Sequence, residues 1–257
     1  MKEKKIRPTS RAIYKIFRFF AEIVFRGTKV ERVEKIQKKG KIIVANHAQL
    51  RGPFIGELFL PENCYIWANG QMFHKKEVPD YAMEDFFPYK PKWMQPICRL
   101  ASNIMAYLIP PIMENARAIP VYRDARIAST FRKSLKLLVE GKNILIFPEC
   151  HEKNNNIVNR FQQNFVDIAR LYNRRTGEDL AFVPMYIAPD LKRTFVGNEV
   201  MYDSAADPEM ERERICQYLS DEITKMAREL PVHIVIPFDN LRKKQYITNK
   251  DVDKLPG

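Results

Sequence analysis

Gly40-Lys41-Ile42-Ile43-Val44-Ala45-Asn46-His47-Ala48-Gln49-Leu50-Arg51-Gly52-Pro53 is the stretch that decides the fold. Ile42 to Ala45 form a short apolar run of the kind expected of a strand buried on both faces. The run stops at Asn46-His47, and Gly52-Pro53 punctuates the chain soon after. A titratable imidazole therefore falls at the C-terminal end of an expected parallel strand, where open α/β sheets form their ligand crevices.

Working outward, residues 1–9 read as a basic tail, and Ser10 is placed to cap a helix running to about Arg26. Its polar residues Arg11, Lys15, Arg18, Glu22 and Arg26 recur at helical period, and nearly everything between them is apolar. A strand is expected near Lys29–Val33 and a turn at Lys39-Gly40 before the strand at 41–46. Beyond Pro53 the expected order is a short helix (Phe54–Leu60), a strand (Cys64–Ala68), an irregular stretch over 69–92, and an apolar, partly helical segment from Trp93 to Met113. Then come a strand (Ala118–Tyr122), a helix (Ala125–Glu140) capped by Asp124 and ended by Gly141, and a strand (Asn143–Phe147). A long helix over Asn156–Arg174, a strand over Ala181–Ile187, a helix from Asp207-Pro208 to Glu229 and a short strand at Val232–Ile236 complete the series, and the chain from Arg242 reads as polar. Strands alternating with helices indicate an α/β fold: a mainly parallel sheet flanked by helices, with an amphipathic N-terminal helix. The expected divisions are a basic tail and interface helix (1–27), an α/β domain (28–240) and a polar C-terminal tail (241–257).

The chain of 257 residues is 46% apolar and carries a net charge of +12. Residues 1–41 hold fourteen Lys or Arg against four acids, so nearly all of the excess is N-terminal. An amphipathic helix with a cationic stripe fits an anionic membrane surface as the partner of residues 1–27. The competing reading is a helix that covers the sheet. No nucleic-acid-binding motif accompanies the basic residues, so nucleic acid is not expected as a partner. Cys64, Cys98, Cys150 and Cys216 form no CxxC pair, which points to free thiols in a reducing cytosol. Nothing reads as a secretory leader, and no stretch reaches the ~18 uncharged apolar residues of a membrane span.

Three further strand-end signatures follow Asn46-His47: Ala118-Ile-Pro-Val-Tyr-Arg123, Ile146-Phe-Pro-Glu149 and Phe182-Val-Pro-Met185. In this order the four resemble the glycerolipid (lysophospholipid) acyltransferase superfamily, over about residues 40–190. That family has an Asn-His-x-x-x-x-Asp block, a strand ending in Arg, a Phe-Pro-Glu-Gly block and a late Val-Pro strand. The resemblance implies that His47 acts as general base on an acceptor hydroxyl, which attacks an acyl thioester carried by coenzyme A or acyl carrier protein. It implies no bound cofactor and no metal, with acyl-CoA or acyl-ACP as co-substrate. Arg123 matches the position that binds an anionic head group, and Glu149 the acid that helps shape the acceptor site. Asn46, Gly52, Pro148, Cys150 and His151 complete the candidate substrate-binding set.

This chain departs from the family pattern at two places. Gly52 stands where the family has the Asp that orients the imidazole. Cys150, His151 and Glu152 replace the usual Gly, Thr and Arg, so a cationic phosphate contact is lost, although Lys153 is near. Among Glu57, Asp80, Asp85 and Glu149, the last is the expected substitute partner for His47 because it ends a neighbouring strand. Cys150 beside His151 is not expected to be a nucleophile pair, since adjacent residues on an extended chain point apart. No helical HxxxH spacing supports a metal site. His74 and His233 have no evident partner, and Trp67 and Trp93 read as core or interface aromatics. The expected function is acyl transfer to a hydroxyl of a lipid-like acceptor by a peripheral protein on the cytoplasmic, inner face of the membrane. The alternative is a catalytically impaired lipid- or acyl-binding protein of the same fold.

Overall fold

The apolar run Ile42–Ala45 is a strand, and none of its side chains reaches solvent. The structure, a computed structural model, describes residues 8–36, 40–88, 90–152, 155–239 and 241–251. Residues 1–7 of the expected basic tail, Lys39, Lys153 and the last six residues of the polar tail lie outside the described residues. In chain order the elements are α1 (Pro8–Val24), β1 (Lys29–Glu31), β2 (Ile42–Ala45), α2 (Arg51–Phe59), β3 (Cys64–Asn69), α3 (Val78–Asp85), α4 (Gln95–Asn115), β4 (Ala118–Val121), α5 (Ile127–Val139), β5 (Asn143–Ile146), α6 (Asp167–Thr176), β6 (Ala181–Ala188), β7 (Arg193–Val196), β8 (Val200–Met201) and α7 (Pro208–Glu229). The chain divides into two compact units, one of Met1–Arg26 with Trp67–Thr130 and one of Gly27–Ile66 with Phe131–Gly257.

In the larger unit the strands run in the order β1-β7-β6-β2-β5-β3. The β1–β7, β6–β2, β2–β5 and β5–β3 pairs are parallel, and β6 pairs antiparallel with β7 and β8. The fold is thus a mainly parallel sheet flanked by helices. β2 lies between β5 and β6, with Val44 opposite both Ile146 and Pro184, which explains why its side chains are apolar without alternation. Pro184, inside a strand buried along its whole length, sits between the residues that pair with β8 and those that pair with β7. The missing N–H falls at that break, and the Pro184 carbonyl accepts from Gly197 N–H (2.8 Å). Asp207 caps α7 by accepting from Glu209 and Met210 N–H (2.9 and 3.2 Å).

In the smaller unit α1 and α3 lie against α4. Ser10, expected as a cap, instead lies inside α1 and is buried: its hydroxyl donates to the Pro111 carbonyl (3.1 Å), which Asn115 also reaches (2.8 Å). α4 runs through Pro110-Pro111, whose missing N–H groups deprive the Ala106 and Tyr107 carbonyls of their helical donors. The remaining faces stay apolar and open: Phe19, Phe20 and Ile23 on α1, and Leu100, Ile104 and Tyr107 on α4, are all more than half exposed.

Several local expectations are corrected. Residues 69–92 contain α3. The helix expected from Asn156 begins only at Asp167, because residues 159–162 run extended beside the chain after β5: Cys150 N–H donates to the Arg160 carbonyl and Gln162 N–H to the Pro148 carbonyl (both 2.8 Å). The strand expected at Val232–Ile236 is reduced to one bridge, Ile234 to Thr248. The C-terminal segment to Asp251 is not a free polar tail. Asn249 is fully buried, its Oδ1 accepts from His233 N–H (3.0 Å), and its Nδ2 donates to the Ala227 carbonyl (2.8 Å) at the end of α7. His233 has partners after all: Nδ1–H donates to the Pro231 carbonyl and Nε2 accepts from the Tyr186 hydroxyl (both 2.8 Å). Asn249→Ala is expected to cost about 2–3 kcal/mol by stranding these buried groups. Thermal melting checks this, with an expected fall of roughly 5–10 °C.

Candidate active site

Beyond Ala45 the ladder between β2 and β6 is continued by a side chain. Asn46 Nδ2 donates to the Ile187 carbonyl (3.0 Å) and its Oδ1 accepts from Ile187 N–H (2.7 Å). The carboxamide copies a peptide group, so Asn46 is buried and fixes the strand end. The chain then turns back sharply. Ala48 and Gln49 both adopt left-handed backbone (φ 48° and 54°), and Gly52 N–H donates to the His47 carbonyl (3.1 Å). Gln49 pins this turn from outside, its Nε2 donating to the Tyr246 hydroxyl (2.9 Å) and the Asp239 carbonyl (3.3 Å).

The turn explains Gly52. A Cβ at this position would overlap the His47 carbonyl oxygen and come within 3.0 Å of the Phe147 ring. A carboxylate cannot be accommodated there without moving the turn. The His47 ring sits edge-on between Phe147 (centroids 5.0 Å apart) and Phe238 (5.2 Å). Its Nδ1 is sealed from solvent and has no hydrogen-bond partner among the described residues. Burial lowers the imidazole pKa to about 4, with a small opposing effect of the Gln49 backbone.

Glu149 reaches His47, but not its ring. Oε1 accepts the backbone N–H of His47 (2.6 Å) and Oε2 accepts that of Asn159 (2.8 Å). The expected carboxylate–imidazole hydrogen bond is therefore replaced by a carboxylate–backbone one. Glu149 is buried, and that burial raises its pKa to about 7 against the two amide donors, with the charges of Asp239 and Glu152 adding to the rise. Pro148 is buried, and Cys150 offers its backbone, its carbonyl accepting from Asn159 Nδ2 (3.1 Å).

His151 is mostly exposed, and its Nδ1 lies 2.5 Å from Asp239 Oδ1. Asp239 Oδ2 accepts from Glu152 N–H (3.1 Å), and the His151 ring packs on Phe238 (4.9 Å). Asn46, His47, Gly52, Pro148, Glu149, Cys150 and His151 thus all belong to the larger unit. Arg123 belongs to the smaller one, just after β4, exposed and without a hydrogen bond or ion pair among the described residues. His74 finds Tyr122 there (3.0 Å).

Sequence reasoning missed Phe238, Asp239 and Tyr246. A signal for the first two exists. Val235-Ile236-Pro237-Phe238-Asp239 repeats the apolar, proline, aromatic and acid content of Ile146-Phe147-Pro148-Glu149. Tyr246 has no local signal, since its partner Gln49 is fixed only by the fold.

A family model described as Acyltransferase matches residues 74–188. The matched span holds Arg123, the Phe-Pro-Glu block and the Val-Pro strand, and it leaves out Asn46 to Gly52. No curated protein matches the chain. Among solved structures the chain is similar to the 1-acyl-sn-glycerophosphate (LPA) acyltransferase PlsC from Thermotoga maritima, at 15% identity and a TM-score of 0.48, covering 90% of this chain and 86% of that one.

Two measurements probe this geometry. Gly52→Ala and Gly52→Asp are each expected to lower stability by about 1–3 kcal/mol through overpacking, with no gain in activity from the restored motif acid. Urea unfolding and turnover of the pair check it. The pH dependence of stability tests the two titrating groups. Glu149, raised from 4.5 to about 7, holds a proton in the folded state that the unfolded chain has lost, so its contribution falls as pH rises through that window. His47, lowered from 6.5 to about 4, contributes stability that grows as pH rises between those values. Against wild type, Glu149→Gln should gain stability with rising pH by up to about 1.4 kcal/mol per unit. Parallel curves would contradict the assignment.

Proposed function

We propose that the protein, whose residues 74–188 match a family model described as Acyltransferase, moves an acyl group from a thioester to a hydroxyl of a lipid-like acceptor at the strand-end site of the larger unit. The observation that carries this reading is the 2.6 Å hydrogen bond from His47 N–H to Glu149, which joins two signature blocks 102 residues apart. The donor is acyl-CoA or acyl carrier protein. Arg123, in the smaller unit, is a separate candidate contact for an anionic group, exposed and without a hydrogen bond or ion pair among the described residues. In such a reaction an imidazole takes the hydroxyl proton as the oxygen attacks the thioester carbonyl. No covalent enzyme intermediate is required.

One feature favours the second reading, an acyl- or lipid-binding protein without turnover. A proton taken up by His47 would leave the enclosed Nδ1–H of the ring without an acceptor among the described residues. Thiol release from acyl-CoA, measured with lysophospholipid and other hydroxyl acceptors, separates the two. Release coupled to ester formation is expected. Acyl-CoA binding without release would favour the binding protein.

Attachment to an anionic membrane surface is part of the proposal. Among the described residues no helix is long and apolar enough to cross a membrane. α1 and α4 nevertheless expose Phe20 (61%) and Leu100 (63%), and Arg11 and Lys15 are exposed on α1. Each apolar side chain buried in lipid contributes about 2 kcal/mol, and each cation near an anionic surface about 1 kcal/mol. A cytoplasmic, inner-face position fits the proposed donors. Phe20→Glu or Leu100→Glu should weaken co-sedimentation with anionic vesicles about tenfold or more while leaving the melting temperature unchanged. Unaltered co-sedimentation would remove these helices from the interface.

A further inference from the structure

We propose that His151, held by Asp239, is the general base of this site in place of His47. The inference rests on the acyltransferase reading above and assigns its proton transfer to a different imidazole.

Both nitrogens decide the matter. At His47, Nδ1 is enclosed without a partner among the described residues, and Gly52 leaves no space for a carboxylate to serve it. Glu149, which reaches the His47 backbone, is already used by two backbone N–H groups. At His151 the arrangement is complete. Asp239 Oδ1 lies 2.5 Å from Nδ1, which fixes the proton on that nitrogen and leaves the Nε2 lone pair open. Asp239 is itself held by Glu152 N–H on its other oxygen (3.1 Å), and its side chain is only 16% exposed, whereas that of His151 is 67% exposed. An oriented carboxylate, an imidazole pointing outward and a defined tautomer make up the functional part of a catalytic dyad.

Position supports the assignment. His151 follows Glu149 by two residues. The rings of His47 and His151 pack on the same phenyl ring, Phe238, with centroids 5.2 and 4.9 Å from it. Gly52, His47 and His151 thus belong to one cluster, with Phe147 beside Gly52 and Phe238 between the two imidazoles. His47 becomes a positioning residue: its backbone N–H anchors Glu149, and its neutral ring walls the site.

In the step itself, His151 Nε2 takes the proton of the acceptor hydroxyl while the oxygen adds to the thioester carbonyl carbon. The imidazolium is stabilised by Asp239. The tetrahedral intermediate collapses with cleavage of the carbon–sulfur bond, and the leaving thiolate takes the proton back. Ester and thiol are the products, and no other reactant is consumed.

The test uses the full chain and a panel of short-, medium- and long-chain acyl-CoAs with hydroxyl acceptors, reading thiol release. His151→Gly should lose about a hundredfold or more in kcat with little change in KM, and added imidazole should restore part of it. Asp239→Asn should lose kcat without rescue by imidazole, with circular dichroism confirming that both variants are folded. Wild-type kcat in His151→Gly, or a folded but unrescued variant, overturns the dyad while leaving acyl transfer standing. Absence of release from wild type with every donor and acceptor overturns the acyltransferase reading and the dyad with it.

Discussion

A single buried carboxylate organises this site. Glu149 lies at the end of β5 and accepts backbone N–H groups from the end of β2 and from the segment that returns beside it. Two charge-assisted hydrogen bonds contribute roughly 1.5–3 kcal/mol each, against the cost of burying a carboxylate with no cation beside it among the described residues. The outcome is close to balance: burial raises its pKa to about 7, so the charge is only partly present near neutrality. The acid therefore does structural work on the backbone, and that use withdraws it from the imidazole next to it.

The second constraint is steric. With Ala48 and Gln49 left-handed and Gly52 N–H on the His47 carbonyl, the turn after β2 closes tightly enough that only glycine fits at position 52. The missing acid is thus more than a lost functional group, because the backbone has taken its space. A histidine whose sealed Nδ1 has no partner among the described residues follows directly, and the C-terminal segment supplies Phe238 to its ring and Asp239 to His151. Chemistry that depends on an oriented imidazole finds that orientation at His151.

Much of the fold was legible because its signals are local. Ile42–Ala45 and Asn143–Ile146 are strands because four apolar residues bounded by turn formers leave few alternatives, and Asp207-Pro208 starts a helix by its own chemistry. The positions of Asn46, His47 and Glu149 followed from strand ends. The partners of those residues did not. That Glu149 would bond to an amide and not a ring depends on the turn geometry at 48–52, which the types of residue there do not announce. The segment 156–162 reads as helical, but 159–162 is extended because the N–H groups of Asn159 and Gln162 are taken by Glu149 and the Pro148 carbonyl. The role of residues 238–251 depends on contacts across nearly 200 positions, for which a single chain offers no periodicity.

The apolar surfaces of α1 and α4 show the same limit from the other side. The stripe in α1 was plain from spacing, yet spacing does not say whether protein or lipid covers the face. The structure leaves Phe19, Phe20 and Leu100 uncovered within the smaller unit. The two imidazoles are told apart most directly by ¹⁵N NMR of the histidine side chains across a pH titration. The account predicts that His47 stays neutral at every pH above about 5, and that His151 carries its neutral-state proton on Nδ1. A His47 ring that titrates near 6.5 with a hydrogen-bonded Nδ1–H would contradict it.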